Sequence, residues 1–232
     1  MERVYEGRVP EATTFGSYGY AWQQLQRYFL YFFLVTLVVA LFESPVSIAH
    51  DSETDITPLT VMLQIFAAAY FFLLFPVISY GGNLLYLHGI RNEKMEIEVL
   101  FQGFKNNYFN IVLAHLLKFA IIGIGFVFFI IPGIILACRL AFVSLLVMDK
   151  NMEPIAAVEK SWEMTKGHGW RIFGMALLAI PIFIGGLICF IVGAFIAIMW
   201  IGAAFTALYH AIDLEEQQKL YSYPNEDIPD AS

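Results

Sequence analysis

Phe109–Met148 reads FNIVLAHLLKFAIIGIGFVFFIIPGIILACRLAFVSLLVM. It is apolar almost throughout and contains no Asp or Glu. One helix of roughly 40 residues, at about 1.5 Å each, would be about 60 Å long, twice the ~30 Å hydrocarbon core of a bilayer. Pro132–Gly133, near its centre, is a turn signal. The block therefore predicts two membrane spans, 109–131 and 134–148, joined by a sharp turn at Pro132 and Gly133.

The remaining apolar blocks divide in the same way. A first span covers 28–42. It is followed by ESPVSIAHDSETDITPLT, which holds Glu43, Asp51, Glu53 and Asp55 and no base. The second span covers 59–87, with Pro76 and the pair Gly81–Gly82 as kink or break points. Residues 172–212 contain no Lys, Arg, Asp or Glu and again exceed one span. They predict spans 172–191 and 194–212, folding back near Gly193 or at Gly185–Gly186, with a kink at Pro181. The chain has 232 residues, which would suit one or two soluble domains, but 59% of them are hydrophobic and 14% charged, and that composition overrides the prior. We expect an all-α integral membrane protein with about six transmembrane helices arranged as three hairpins. Residues 1–213 form one membrane domain and 214–232 a loose, polar cytoplasmic tail. The loops leave no room for a soluble catalytic domain.

Charge sets the orientation. Arg3, Arg8, Arg27, Arg91, Lys94, Lys105, Lys150, Lys160, Lys166, Arg171 and Lys219 all fall on one side of these spans. The opposite loops contain no Lys or Arg, so the basic side, with both termini, is cytoplasmic. The net charge of −7, with bases interleaved among acids, is not a nucleic-acid signature. Cys138 and Cys189 lie in apolar blocks and read as small hydrophobes. The polar start, MERVYEGRVPEATTFG, lacks the early apolar stretch of a cleavable signal peptide. The first span then serves as its own insertion signal.

Each hairpin is preceded by a short amphipathic segment. The apolar sets are Tyr18, Trp22 and Leu25; Ile97, Phe101 and Phe104; and Ile155, Val158 and Trp162. Their spacing places each set on one helical face. Aromatic and basic residues close each segment and read as interfacial anchors: Trp22, Arg27 and Tyr28; Lys105 and Tyr108; Trp162, Lys166, Trp170 and Arg171. Three copies of an interfacial helix followed by a transmembrane hairpin form an internal repeat. Within the second copy, Glu98–Gly103 (EVLFQG) coincides with the core of a picornaviral protease recognition sequence, with Phe104 in place of the usual proline. Its amphipathic context marks it as native sequence that is exposed to an unintended cut.

The stretch IIPGIILACRLAFV (Ile130–Val143), Met148–Asp149, Ala156–Ser161, Trp162 and Thr165–Lys166–Gly167 resemble a bacterial superfamily of small six-span membrane proteins, largely of unknown function. That group includes the membrane domain fused to some glycerophosphodiester phosphodiesterases. The likeness spans about Phe101 to Glu215, and the PG turn with S-W-x-x-T-K-G is its most specific part. The resemblance implies an all-helical, multi-pass protein of the bacterial inner (plasma) membrane. It supplies no catalytic residues, because the phosphodiesterase chemistry of the fused members lies in a separate soluble domain.

The sequence offers little chemistry. His50, His88, His115, His168 and His210 form no close ligand pair, so no metal or other cofactor is expected. Gly16–Ser–Tyr–Gly19 is not a nucleophile elbow. Glu159 and Glu163, four apart, read as a charged face. Gly123–Ile–Gly125 reads as a close-packing point, as do Gly193, Ala197 and Ala204 along the last span. The informative residues are the intramembrane cations. Lys118 has His115 one turn away, and Arg139 follows the PG turn. A cation at the bilayer centre costs about 2.5–3.5 kcal/mol on the lenient insertion scale. Lys118 can snorkel, and Arg139 can tie to carbonyls or to Glu43. Alternatively, Lys118, Arg139 and His115 contact an anion or lipid. The expected function is a non-enzymatic membrane protein that binds or moves an anionic, lipid-like molecule. The rival is a structural or accessory subunit of a larger membrane complex, and an intramembrane enzyme ranks third. The partners are membrane lipids and, on the rival reading, other membrane subunits, with no nucleic acid.

The orientation is testable in a background lacking Cys138 and Cys189. A cysteine at Ser52 should react with an impermeant thiol reagent in intact cells, and one at Asn151 should not. The reverse pattern would invert the topology.

Overall fold

The computed structural model describes residues 10–50 and 58–222, and the described chain is helical with no strand. The helices are α1 (Thr14–Arg27), α2 (Phe29–His50), α3 (Pro58–Leu73), α4 (Phe75–Ile90), α5 (Val99–Asn106) and α6 (Tyr108–Phe128). They continue as α7 (Ile130–Arg139), α8 (Val143–Asp149), α9 (Pro154–Met164), α10 (Gly169–Ile188) and α11 (Phe190–Ser222). Five stretches are long and apolar enough to cross a membrane: Thr60–Ile90, Tyr108–Phe128, Ile130–Asp149, Gly169–Ile188 and Val192–Lys219. The pair α1 and α2, bent by 98°, adds a sixth if it counts as one crossing. This is the architecture of a multi-pass membrane protein.

The helix breaks explain the boundaries, and several differ from expectation. Between α6 and α7 the extended residue is Phe129, at φ −163° and ψ 154°. Pro132 and Gly133 therefore do not form the turn; they lie in the first turn of α7, where a missing N–H costs nothing. Gly133 instead allows close packing. A Cβ there would meet the Phe126 ring at 2.5 Å, and a Cβ on Gly125 would meet the Gly133 Cα at 3.0 Å. Gly123 has open space around it and packs against nothing nearby. The last block breaks at Cys189, between the two expected positions. Gly186 and Gly193 face each other across that break, so close that a Cβ on Gly186 would meet the Gly193 carbonyl at 2.6 Å. Pro76 does mark a break, at the start of α4, whereas Gly81 and Gly82 continue that helix. Helix α10 runs through Pro181.

Two helices outrun their predicted spans. Helix α2 continues to His50, past the expected loop start at Glu43, while Asp51–Asp55 lie outside the described residues. Helix α11 continues to Ser222, through the first part of the tail expected to be loose. Extension adds one hydrogen bond per residue fixed. Gln217 also donates to Asp213 at 3.0 Å, and Lys160 pairs with Glu216 at 2.9 Å.

The three amphipathic helices bury small residues together with larger ones such as Leu100 of α5 and Met164 of α9. Ser17 and Ala21 of α1, Gly103 of α5, and Ala157 and Ser161 of α9 are buried. The large apolar residues Trp22, Ile97, Phe101, Phe104, Ile155 and Trp162 face outward. Contrary to expectation, Tyr18 and Leu25 turn inward, and Gln24 is buried with its amide donating to the Tyr20 hydroxyl at 2.9 Å. Helix α5 sits hard against α4, where a Cβ on Gly81 would overlap the backbone of Leu100. Gly103 lies between Ile111 and Val77. Glu98–Gly103 is thus locked in and beside a packed helix, not offered as the extended chain a protease binds.

The core gathers at the basic end of the bundle, around Leu85, Leu87, Ile90, Phe142, Leu146, Ala207 and Tyr209. At the other end Val127–Ile131 and Ile188 are exposed. Gly81→Ala should lift α5 from α4, because backbone rather than a flexible side chain stands in the way. Overpacking of this kind costs about 1–3 kcal/mol, measurable as a lowered Tm in detergent; an unchanged Tm would show that α5 is not seated there.

Candidate functional site

Helix α7 ends at Arg139 and α8 begins at Val143, which leaves backbone groups unpaired between them. One segment of α9 answers that break. The Ser161 hydroxyl donates to the Arg139 carbonyl at 2.8 Å and accepts from the Phe142 N–H at 3.3 Å. The Thr165 hydroxyl lies 3.3 Å from the same Arg139 carbonyl and 2.8 Å from the Ser161 carbonyl. The Arg139 guanidinium stands 5.4 Å from the centroid of the Trp162 ring, in cation–π range. Gly167, at φ +89°, then turns the chain into α10, a conformation that side chains rarely adopt. Ser161, Trp162, Thr165 and Gly167 therefore all converge on Arg139 and its surroundings.

That arrangement borders a half-open cavity of about 470 Å³. Its lining runs from Ile131, Ile135 and Cys138 past Arg139 to Gly167, Gly169 and Trp170. Arg139 Nη1 is buried and has no hydrogen-bond partner. Trp170 is 86% exposed, its ring edge-on to Phe173 at 5.9 Å. Arg139 thus lies at the level where α10 begins, and the expected tie to Glu43 falls on a side chain outside the described set.

The other sequence-predicted contacts are elsewhere. His115 is ringed edge-on by Phe71, Phe72 and Tyr80, with centroids 5.8, 6.4 and 6.2 Å away. Its Nε2 and the Tyr80 hydroxyl are buried without partners. Lys118, one turn on, has no hydrogen-bond or ion-pair partner among the described residues. Lys118 and His115 therefore belong with α3 and α4, and Arg139 with α9 and α10. The structure does not gather the three into one site.

The expected anchors are varied. Trp22 packs on Trp200 at 4.9 Å, and the Trp200 indole N–H donates to the Tyr18 carbonyl at 2.9 Å. Arg27 donates to Asn92 at 3.1 Å and lies 5.4 Å from the Tyr28 ring centroid. Tyr108 stacks on Phe104 at 6.1 Å, and Lys105 and Lys166 are exposed. Arg171 Nη1 lies 2.8 Å from His168 Nδ1. Burial and the Arg171 charge hold the His168 pKa below its ordinary value. Glu163 pairs with Lys160 at 3.1 Å, consistent with a charged face rather than an acid–base pair.

One cluster escaped the sequence reading. Arg91, at the end of α4, grips Asp149 of α8 with both guanidinium nitrogens, at 2.5 and 2.8 Å. The Tyr209 hydroxyl donates to Asp149 at 3.0 Å, and Asp213 lies 3.6 Å from Arg91 and also pairs with Lys150. Burial opposes the Arg91 charge, but the Asp149 hydrogen bonds and charge outweigh it and hold the pKa above the ordinary value. Two cations and two carboxylates close the network, so it ties α4, α8 and α11 together rather than offering an open site. The available signal was Asp149 ending a long apolar run, with Asp213 ending another.

Asp149→Ala leaves the Arg91 guanidinium with the more distant Asp213 carboxylate, at 3.6 Å. Breaking a buried pair from one side costs about 3–5 kcal/mol. The Tm in detergent should fall sharply, while Lys94→Ala, at an exposed pair with Glu96, should leave it unchanged. Equal effects would mean that the network does not hold the helices.

With this geometry in view, the chain matches no protein family, no curated protein and no solved structure.

Proposed function

We propose that this is a non-enzymatic membrane protein that binds, or moves, an anionic lipid-like molecule at Arg139. The observations that carry the reading are Arg139 in the lining of a cavity with mostly apolar walls, and its buried Nη1 without a hydrogen-bond partner. A guanidinium so placed calls for an anion, because bare charge in hydrocarbon is costly and Arg matches phosphate oxygens well. The proposal includes three transmembrane hairpins, both termini cytoplasmic, in a bacterial inner membrane. The one-sided Lys and Arg distribution supports the orientation. On this reading the outward-facing Trp162 and Trp170 lie at the membrane–water interface on the basic side, the depth of a lipid headgroup.

The subunit reading drew on small residues along the last span. Ala197, Ala203, Ala204 and Ala207 are buried within this chain, so that face is already occupied. No observation favours the subunit reading over the lipid site.

Arg139→Gln tests the proposal. The clasp at this position uses the backbone carbonyl, which the change preserves. The variant should insert and fold, and the anionic lipid retained after gentle purification, measured by mass spectrometry, should fall about tenfold, the worth of one charge-assisted hydrogen bond. Unchanged lipid retention would overturn the proposal.

A further inference from the structure

Beside the Arg139 cavity lies a second one of about 350 Å³, and the two share Ile134, Cys138 and Phe173. The second is an apolar cleft between α7 and α10, walled by Ala137, Ala176, Leu177 and Ile180 and floored by Phe126 and Phe205. From this adjacency we infer that the cleft seats one acyl chain of a lipid whose phosphate is held by Arg139, and that this lipid is a monoanionic phosphodiester without an ammonium group. The inference rests on the lipid-binding reading above and names its substrate class.

Length supports the chain. From Gly169, at the headgroup level, to Ile180 the helix rises about 16 Å. That is close to half of a ~30 Å hydrocarbon core, the depth of one leaflet. The walls permit lateral access: Ala176, Leu177 and Ile180 are exposed on the flank of α10. Small side chains at Ala137 and Ala176 open the cleft between the two helices, and nothing polar interrupts it beyond the sulfur of Cys138.

Charge supports the headgroup. Among the described residues Arg139 is the one charged residue lining the two cavities, and no carboxylate lines either. Asp149, ten residues on from Arg139, is engaged with Arg91, and Glu163, beside Trp162, with Lys160. The Trp162 ring already receives the guanidinium. A phosphate therefore meets its counter-charge, whereas a headgroup ammonium meets another cation and no acid.

The test uses the full chain in detergent, with native mass spectrometry of added phosphatidylglycerol or phosphatidylethanolamine bearing identical long chains. Wild type should retain phosphatidylglycerol about tenfold better. Ala176→Phe, at an exposed wall position, and Ala137→Leu, from the opposite wall, fill the cleft. Either should cut long-chain phosphatidylglycerol retention several-fold yet leave binding of dihexanoyl phosphatidylglycerol unchanged, and Tm reports folding. If both fillers fold and leave long-chain retention unchanged while Arg139→Gln lowers it, the acyl cleft is wrong and the lipid-binding reading stands. Equal retention of the two headgroups by wild type overturns the headgroup assignment. If Arg139→Gln changes nothing, both readings fall.

Discussion

A helix that stops among buried side chains, such as Leu140 and Phe142, leaves carbonyl and N–H groups that need partners. The junction between α7 and α8 is such a stop, and the Ser161 hydroxyl serves both sides of it, donating to Arg139 and accepting from Phe142. Much of the structure around the Arg139 cavity follows from this bond. It holds α9 against the broken span, which brings Trp162 under the guanidinium and sets Gly167 where α10 must start. The break also turns the next helix toward the basic end, where Asp149 meets Arg91. A continuous helix through residues 130–149 would need neither Ser161 nor Thr165 and would give α9 no reason to sink inward.

How much of this was legible in the sequence depended on whether the signal was local. Span length is a local property, so the long apolar blocks announced helices and the need to fold back. Turn positions were less legible. Pro132 reads as a turn, yet a proline in the first turn of a helix is equally well placed, and the extended residue proved to be Phe129. Glycines mark close approach as readily as turns, which is how Gly186 and Gly193 come to face each other across Cys189 instead of forming the bend. Arg139 was identifiable as a costly charge, but its neighbours were not. They come from a helix twenty or more residues away, and no periodicity encodes that contact. The Arg91–Asp149 pair was hidden for the same reason, since each residue alone looks like an ordinary charge at a helix end.

The two charged assemblies illustrate opposite outcomes for a desolvated ion. Around Arg91 the carboxylates of Asp149 and Asp213 arrive from two other helices, and the charges balance within the protein. Around Arg139 the protein supplies an aromatic face and leaves one nitrogen unanswered. Replacing partners within a closed set mainly alters stability, whereas an unanswered donor is where something from outside gains affinity.

Burial concentrated at one end makes the molecule mechanically uneven. The helices are bound to one another by Phe142, Leu146 and Tyr209 at the basic end, while Val127–Ile131 and Ile188 at the other meet few protein neighbours. Local opening therefore begins at the tips and spreads toward the base. Gly186 and Gly193, and Gly125 and Gly133, hold each helix pair together at its tip, so a bilayer of different thickness would act on the splay between pairs. A cleft flanked by α7 and α10 widens or narrows with that splay, which makes lipid packing in the host membrane a control on the protein's shape.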